Sequence, residues 1–492
     1  MRSYFKLYIA LCLSIFINGG CTSAGSKMSA QQPDSTKNLL EKFLSSKSLA
    51  HSTVAIKIID LQSNEVLVSH NESLTVVPAS VQKIFITAAA LETFTPYHTF
   101  STILSYSGEI DKGDVLHGDL YIIGGGDPTF GSPYFGDNYG NVINRLSDAT
   151  KAAGIKKING NIIGDASIFG EPNIPGTWIW EDIGNYFGAI PSGLNIYDNS
   201  YEIAFRSKKK PGTPTTILRI TPEITGLAFE NHVISAKDNR DNAWIFGSYL
   251  DNKRVITGAI PAGKENFIIK GAIPDPAKLV TEQLAEKLKT NGIAITGNTH
   301  SSFSASSKIQ KRTLLEIKSP NLADIINKTN SKSVNLYADV LLMHLAATAG
   351  KPSLTEGGKI LKSFWKDKGM HSEGIFLMDG SGSSRSNGVT ADQIVFVLKY
   401  MNDSHYSEIF QESLATAGVS GTLRNFGKGS SLESNFYAKS GSMARIQSYA
   451  GYLTVASGKK LAIALIINNF DDEPATIKNQ IKNFLIEVYQ HL

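Results

Sequence analysis

Short alternating runs of apolar and polar positions lie near both ends of the chain and predict strands. Near the beginning, runs at 54–59 and 66–68 are separated by a polar turn, which is the pattern of a strand, a turn and a strand. Near the end, runs at 449–455 and 461–468 meet at the turn Ser457-Gly458 in the same way. We expect strands from the two ends to share one antiparallel sheet.

Two apolar stretches predict helices that cover this sheet. Residues 84–91 are almost all apolar and are long enough for a buried helix, while residues 477–492 have the spacing of an amphipathic final helix. The predicted fold class is therefore α+β, with an antiparallel sheet and helices on its faces.

The middle of the chain has a different pattern. Residues 97–311 are rich in predicted strands with turn signals at short intervals, and a helix predicted at 274–291 precedes another strand. A segment of this size is long enough to fold around a core of its own. We therefore expect one or two further domains inserted at 97–311 into a main domain that is formed by 39–96 and 312–492.

Residues 1–20 have the layout of an export signal. Two basic residues precede an apolar core at 7–17, and small residues then lead to Cys21, as in the lipobox of bacterial lipoproteins. We expect lipidation of Cys21, with residues 21–38 as a flexible tether, and ordinary secretion is the alternative. The expected location is the periplasm, with a lipid anchor in the membrane; the outer membrane is preferred, and the choice between the two membranes stays open.

Charge and composition argue against several classes of function. The net charge of the 492 residues is +4, and it falls to +2 when the signal is removed with Arg2 and Lys6 and no acidic residue. This gives no argument for a nucleic acid partner. Cys12 lies within the signal, so the mature chain has no pair for a disulfide. The ten histidines show no metal-binding spacing, which argues against a metallopeptidase, and no metal or other cofactor is expected.

The clearest chemical signal is Ser80-Val81-Gln82-Lys83. A serine at the beginning of a helix and the residue three positions later lie on one face, so Ser80 and Lys83 can touch. A helix cap with a solvated lysine is the alternative for this segment alone. Other Ser-x-x-Lys fragments lie in the signal, in loops or inside a packed helix; they begin at Ser3, Ser207, Ser363 and Ser457.

Two later fragments follow Ser80 in an ordered series. Ser333-Val334-Asn335 precedes an apolar helical run, and Lys439-Ser440-Gly441 precedes the strand predicted at 449–455. Taken singly, the first is explained as a helix cap and the second as an edge strand with a solvated lysine. Three such fragments in order, each with its expected helix or strand, are improbable by accident.

The three fragments resemble the motifs of the D-alanyl-D-alanine carboxypeptidase/endopeptidase family of class C low-molecular-mass penicillin-binding proteins. The separation between Ser80 and Ser333 is longer than in serine β-lactamases and matches the inserted domains of this family. Ser440 replaces the commoner threonine, and Val334 stands where aspartate is frequent. Further similar stretches are Gly126-Asp127-Pro128-Thr129, Gly164-Asp165, Pro191-Ser192-Gly193-Leu194-Asn195, Asp379-Gly380-Ser381-Gly382 and Gly421-Thr422-Leu423.

The resemblance implies a main domain like that of serine β-lactamases and transpeptidases. It also implies a serine DD-peptidase that acts on peptidoglycan stem peptides as a D-alanyl-D-alanine carboxypeptidase and DD-endopeptidase. The reaction would pass through an acyl-enzyme on Ser80, which β-lactams would trap. A serine β-lactamase or a non-catalytic peptidoglycan-binding lipoprotein is the alternative. The balance between the two peptidase activities stays open, as do the oligomeric state and the third stem-peptide residue.

The residue types suggest a catalytic role for each motif. Ser80 needs a base, and Lys83 can serve if burial and the charge of Lys439 lower its pKa. Ser333 can relay a proton to the leaving amine, and Asn335 can bind Lys83 and the substrate amide.

The third motif suggests substrate contacts. Backbone N–H groups of Ser80 and Ser442 would bind the oxyanion. Lys439 with Ser440 would bind the terminal carboxylate of the substrate, and Gly441 allows another backbone to approach.

Three further residues are candidates for recognition of the peptide side chain. Asp182 and Phe187 lie in the inserted region at positions where the family resemblance implies such contacts, and Arg385 follows the stretch 379–382. Asp182 for an ammonium group and Arg385 for a carboxylate would suit meso-diaminopimelate. The alternative is a surface aspartate and a structural arginine.

Overall fold

The computed structural model describes residues 34–136, 141–172, 174–304 and 309–492, with side chains from residue 37 onward. The predicted export signal and Cys21 lie outside the described residues. None of the helices in these ranges is long and apolar enough to cross a membrane.

The first stretch of the chain contains a hairpin and a central helix. Its elements are α1 (Asp34–Leu44), β1 (Thr53–Asp60), β2 (Val66–His70) and α2 (Lys83–Phe94), with a 3-10 turn at Ala79–Gln82 directly before α2. The hairpin and the helix after Ser80 confirm the predictions from the apolar pattern. Helix α1 begins at Asp34, so the last residues of the predicted tether are helical.

The middle of the chain is made mainly of short strands, as predicted. Its elements are β3 (Ser101–Tyr106), β4 (Glu109–Ile110), β5 (Val115–His117), β6 (Leu120–Gly124), α3 (Asn141–Ala152), β7 (Lys157–Ile158), β8 (Ile162–Asp165), α4 (Trp180–Ile183), β9 (Ser200–Arg206), β10 (Thr216–Thr221), β11 (Ala228–Asn231), β12 (Ile234–Ala236), β13 (Asn242–Phe246), β14 (Lys253–Pro261), β15 (Phe267–Ala272), α5 (Pro276–Thr290), β16 (Ala294–Ile295), β17 (Thr299–Ser302) and β18 (Arg312–Lys318).

The last stretch returns to helices and to the main sheet. Its elements are α6 (Leu322–Ser331), α7 (Asn335–Ala347), α8 (Leu354–Asp367), α9 (Ala391–Asn402), α10 (Ser407–Ser413), β19 (Ala415–Thr416), β20 (Phe436–Met443), β21 (Ile446–Thr454), β22 (Lys460–Asn468) and α11 (Pro474–His491). The two C-terminal strands and the final helix confirm their predictions.

One six-stranded antiparallel sheet joins the two ends of the chain. Its strand order is β19-β20-β21-β22-β1-β2, and β1 pairs with β22 from Thr53 opposite Asn468 to Asp60 opposite Leu461. This pairing confirms the single sheet built from both ends, and with it the predicted α+β fold class.

Helices cover both faces of this sheet because side chains alternate along each strand. In β1, Ala55 and Ile59 pack into a core with α2, α7 and α9. Ile56 and Ile58 point the other way, into a core with α1 and α11. Helix α2 is buried all round through Leu91, which explains its almost uninterrupted apolar sequence.

The described residues of the inserted region, together with β18, form four further sheets with a core of their own. Their strand orders are β17-β8-β6-β3-β18, β16-β7-β5-β4, β10-β9-β15 and β11-β14-β12, with β13 paired to β14. Strand β18 pairs with β3, although the predicted boundary assigned residues 312–318 to the main domain. We therefore propose that the division falls after Lys318; the division into domains itself stays a prediction.

Candidate active site

A strained turn presents Ser80 at the beginning of α2. Ala79, the preceding residue, has a φ of 49°, a left-handed conformation that costs a residue with a Cβ about 1–3 kcal/mol. Lys83 follows one turn later, and its Nζ lies 2.9 Å from Ser80 Oγ. The predicted contact between the two side chains is therefore present, and the alternative of a solvated lysine is wrong because Lys83 is completely buried.

The Lys83 side chain ends among oxygen atoms. Its Nζ donates to Asn335 Oδ1 over 2.7 Å and to the Ser381 carbonyl over 2.6 Å. Burial lowers the pKa of Lys83 to about 8, while the nearby carboxylates of Asp339 and Asp379 oppose this shift. Lys83 is therefore an amine that can lose its proton near neutral pH, as a general base must.

Asn335 begins α7 and is held in one orientation. Its Nδ2 donates to the Phe187 carbonyl over 2.8 Å and to Ser383 Oγ over 3.2 Å. Because these bonds fix the side-chain amide nitrogen of Asn335, its amide oxygen Oδ1 points at Lys83. The inserted region thus helps to orient a residue of the second motif.

Lys439 and Ser333 form a second lysine–serine pair. Lys439 Nζ donates to Ser333 Oγ over 2.9 Å and to the Ser440 carbonyl over 2.7 Å. Lys439 is completely buried, so the alternative of a solvated edge lysine is wrong. Burial, together with the charge of Lys83, holds the pKa of Lys439 well below its usual range. From the sequence we expect burial and the charge of Lys439 to lower the pKa of Lys83 together. In the structure, burial is the main cause.

Strand β20 passes directly beside Ser80. A Cβ placed on Gly441 would lie 2.8 Å from the Pro78 carbonyl oxygen and 3.0 Å from the backbone nitrogen of Ser80. This position therefore requires glycine, as the close approach predicted for it implies.

The three motifs open onto one cleft of about 520 Å³. Ser80, Ser333, Ser440 and Ser442 all line it. Thr422, from the similar stretch 421–423, also lines the cleft, and residues that the sequence did not single out complete the wall, among them Asn425, Phe426, Lys478 and Lys482. Ser440 Oγ donates to Thr422 Oγ1 over 2.7 Å. Hydroxyl groups and lysines on one side of a cleft are suited to binding a carboxylate.

The candidates for side-chain recognition lie near one another. The positive charge of Arg385 acts on Asp182, although no ion pair joins the two within the described residues. Burial and the neighbouring Glu181 raise the pKa of Asp182 to about 6. Phe187 packs edge-on against Tyr186 and Trp244, and its carbonyl accepts the bond from Asn335.

The sequence named Phe187 and the stretch 379–382, but it did not indicate what their backbone contributes. The carbonyl groups of Ser381 and Phe187 contact Lys83 and Asn335, and every residue type possesses such a group. Asp339 is different, because it follows Asn335 by four positions on a helix and this spacing places both on one face. That spacing was a signal the sequence offered.

Residues 36–488 match the sequence profile of the D-Ala-D-Ala carboxypeptidase 3 (S13) family. The chain belongs to this family. The S13 match makes the protein a serine D-Ala-D-Ala carboxypeptidase, which confirms the recognised resemblance and the expected class of enzyme.

Individual relatives of this S13 member agree with the profile. The D-alanyl-D-alanine carboxypeptidase DacB of Haemophilus influenzae is 27% identical over 449 residues, which cover 90% of this chain and 91% of DacB. The D-alanyl-D-alanine carboxypeptidase of Actinomadura sp. is 26% identical over 462 residues, 90% of this chain and 82% of that one. The crystal structure of penicillin binding protein 4 from Haemophilus influenzae superposes with a TM-score of 0.79 at 25% identity, and covers 93% of this chain and 99% of its own.

Proposed function

We propose that this carboxypeptidase acts on peptidoglycan stem peptides through an acyl-enzyme on Ser80, and that it also cuts cross-links as a DD-endopeptidase. One observation carries the assignment of Ser80. Its Oγ lies 2.9 Å from an amine that is completely buried and whose pKa is lowered to about 8. Such an amine can accept the hydroxyl proton near neutral pH.

The acylation step moves one proton and exchanges one bond. Neutral Lys83 takes the proton of Ser80, and Oγ attacks the carbonyl carbon of the penultimate D-Ala. The C–N bond to the terminal D-Ala then breaks, and its amine receives that same proton from the Lys83 ammonium by way of the Ser333 hydroxyl, which Lys439 holds at 2.9 Å. Water hydrolyses the resulting ester and restores Ser80.

Charge that develops in this reaction has partners in the cleft. Backbone N–H groups of Ser80 and Ser442 would stabilise the oxyanion, since strand β20 runs close beside Ser80. The terminal carboxylate of the substrate would meet the hydroxyl groups of Ser440 and Thr422. The buried Nζ of Lys439 is bonded to the carbonyl group of the same Ser440.

The side chain of the third stem-peptide residue would bind beside this cleft. Asp182 would bind a side-chain ammonium group, Arg385 a side-chain carboxylate, and Phe187 the aliphatic part between them. A residue with both charged groups, such as meso-diaminopimelate, fits this set. The charge of Arg385 acts on Asp182, so the two side chains are close enough for one ligand to reach both.

β-Lactams would acylate the same serine. The Haemophilus influenzae relative is by name a penicillin binding protein. A β-lactam carries a strained amide and a carboxylate, so it would use the same nucleophile and the same carboxylate contacts. Stable acylation is expected, in contrast to the rapid hydrolysis of a β-lactamase.

The protein would work in the periplasm. Residues 1–20 would direct export, and a lipid on Cys21 would anchor the enzyme to the outer membrane through the segment before α1. This assignment rests on the sequence of the first residues alone.

Purified enzyme should be incubated with pentapeptide monomers and with cross-linked dimers from peptidoglycan, followed by mass spectrometry. Loss of terminal D-Ala from monomers and conversion of dimers to monomers are expected. Unchanged dimers would contradict the endopeptidase activity. Rapid turnover of penicillin would instead support a β-lactamase.

Two serine variants test the nucleophile. Ser80→Ala should lose both D-Ala release and covalent labelling by fluorescent penicillin. Ser363→Ala is the matched control, because Ser363 also begins a Ser-x-x-Lys fragment but lies exposed on α8. Persistent labelling of Ser80→Ala would refute the assignment.

A further inference from the structure

Asp339 is a buried carboxyl group next to the catalytic lysine. It lies on α7, four residues after Asn335, and is completely buried. Its Oδ1 accepts the backbone N–H groups of Gly380 over 2.8 Å and of Ser381 over 2.9 Å. Its Oδ2 has no hydrogen-bond partner among the described residues. A buried oxygen without a hydrogen-bond partner destabilises the folded protein, so the presence of a carboxyl group at this position needs an explanation.

The loop held by Asp339 is the one that contacts Lys83. The Ser381 carbonyl accepts from Lys83 Nζ over 2.6 Å, and the N–H of the same residue donates to Asp339. The loop has little room to move. A Cβ on Gly380 would lie 2.4 Å from the Ala338 carbonyl oxygen, and one on Gly382 would lie 2.1 Å from that of Ala79.

The neighbouring Asp379 has a different environment. It accepts the N–H groups of Gly382 and Ser384, the indole N–H of Trp178 and the amide of Asn387, all within 2.7–2.9 Å. These four donors engage both oxygens of Asp379. Asp339 has two donors on one oxygen only, so its ionised form is stabilised less.

We propose that Asp339 is a positioning residue for Lys83: it fixes the Ser381 carbonyl against the lysine, and its charge sets the pH range in which Lys83 acts as a base. The inference rests on the proposed role of Lys83. It adds a residue of α7 to the machinery that controls the proton of Ser80.

The charged groups around Asp339 and Lys83 determine in which direction Asp339 shifts the pKa of Lys83. Lys83 from α2 and Asp379 from the loop face Asp339, and Lys439 from β20 repels Lys83. Burial and the charge of Asp379 raise the pKa of Asp339, burial lowers that of Lys83, and each charge acts on the other, so the two groups titrate as a pair. An ionised Asp339 favours the ammonium form of Lys83, and a neutral Asp339 favours the free amine.

The test is the pH profile of kcat/KM for D-Ala release. Asp339→Asn keeps an oxygen for the two N–H groups but removes the charge. The half-maximal point on the acid side should move to lower pH by about one unit, a tenfold change in proton concentration. Asp339→Ser, a second neutral replacement, should move it in the same direction. Asp403→Asn, which alters an exposed carboxylate on the surface, should leave the profile unchanged.

Each rate is divided by the fraction of enzyme that fluorescent penicillin titrates, so partial misfolding of a variant does not affect the profile. A lower rate with an unmoved half-maximal pH in both neutral variants would overturn the inference, because a purely structural role predicts that result. A separate variant tests the proposed role of Lys83: full activity of Lys83→Arg would refute that role, whatever the Asp339 variants show.

Discussion

Lys439 Nζ lies 2.9 Å from Ser333 Oγ, the same distance that separates Lys83 Nζ from Ser80 Oγ. The site thus contains two pairs, each made of a buried lysine and a serine that lines the cleft. In the proposed reaction, the first pair generates the nucleophile, and the second carries the proton to the leaving group.

The two lysines should respond differently to arginine. Lys83→Arg keeps the charge but cannot supply a free amine, so acylation by peptide and by penicillin should fall by roughly 10²–10⁴-fold. Lys439→Arg keeps a cation that can donate to Ser333, so it should retain more activity. Labelling rates with fluorescent penicillin and D-Ala release measure both. Lys399→Arg, on the exposed surface of α9, is the control. Equal losses from the two site variants would contradict the division of roles.

Recognition by Asp182 should depend on pH. Its pKa of about 6 means that the carboxylate is largely protonated at pH 5 and ionised at pH 7. An ammonium group binds the ionised form, so KM for a diaminopimelate-containing peptide should be about tenfold higher at pH 5 than at pH 7. Asp182→Asn should raise KM and remove this dependence. A peptide whose side-chain amine is acetylated serves as the control. Equal KM values for the free and acetylated peptides would refute the contact.

Gly441→Ala should impair catalysis more than folding. The added methyl group would lie 2.3 Å from Ser448 Oγ and 2.8 Å from the Pro78 carbonyl oxygen, which are themselves joined by a hydrogen bond. Strand β20 must then move away from Ser80, and kcat/KM should fall by roughly 100-fold. Thermal unfolding should still show a cooperative transition. Gly176→Ala adds a methyl group in open space and should have little effect. Full activity of Gly441→Ala would show that the strand position is not critical.

The lipid anchor is tested by Cys21→Ser. This variant should move from the membrane fraction to the soluble periplasmic fraction, because a serine cannot carry the thioether-linked lipid. Activity on soluble peptides should be unchanged. Fractionation followed by activity measurement checks both statements. A wild-type protein that is already soluble, with an N-terminus other than residue 21, would contradict the proposal.

The sequence was most informative where local pattern decides the structure. Strands β1, β2, β21 and β22 follow from alternation of apolar side chains, and α2 follows from a run that must be buried on every side. The contact of Ser80 with Lys83 follows from helical spacing alone. The order of the three motifs then sufficed to identify the class of enzyme.

Features that depend on distant neighbours were not accessible in this way. Lys439 is buried because Ser333 and other parts of the chain cover it, and nothing in its own segment indicates this. The pairing of β18 with β3 joins strands far apart in sequence, so no local pattern indicates it. The carbonyl groups of Ser381 and Phe187 contact the site through backbone atoms, which leave no trace in residue type.

The pairing of β1 with β22 also affects the order in which the fold can form. A chain is made and delivered from its N-terminus, so β1 emerges early and lacks one neighbour until residues 460–468 arrive. The segment with Ser80 packs on β20 and β21, which come equally late. The contacts around Ser80 are therefore complete only when almost the whole polypeptide is present. We expect an unfinished or truncated chain to lack peptidase activity for this reason.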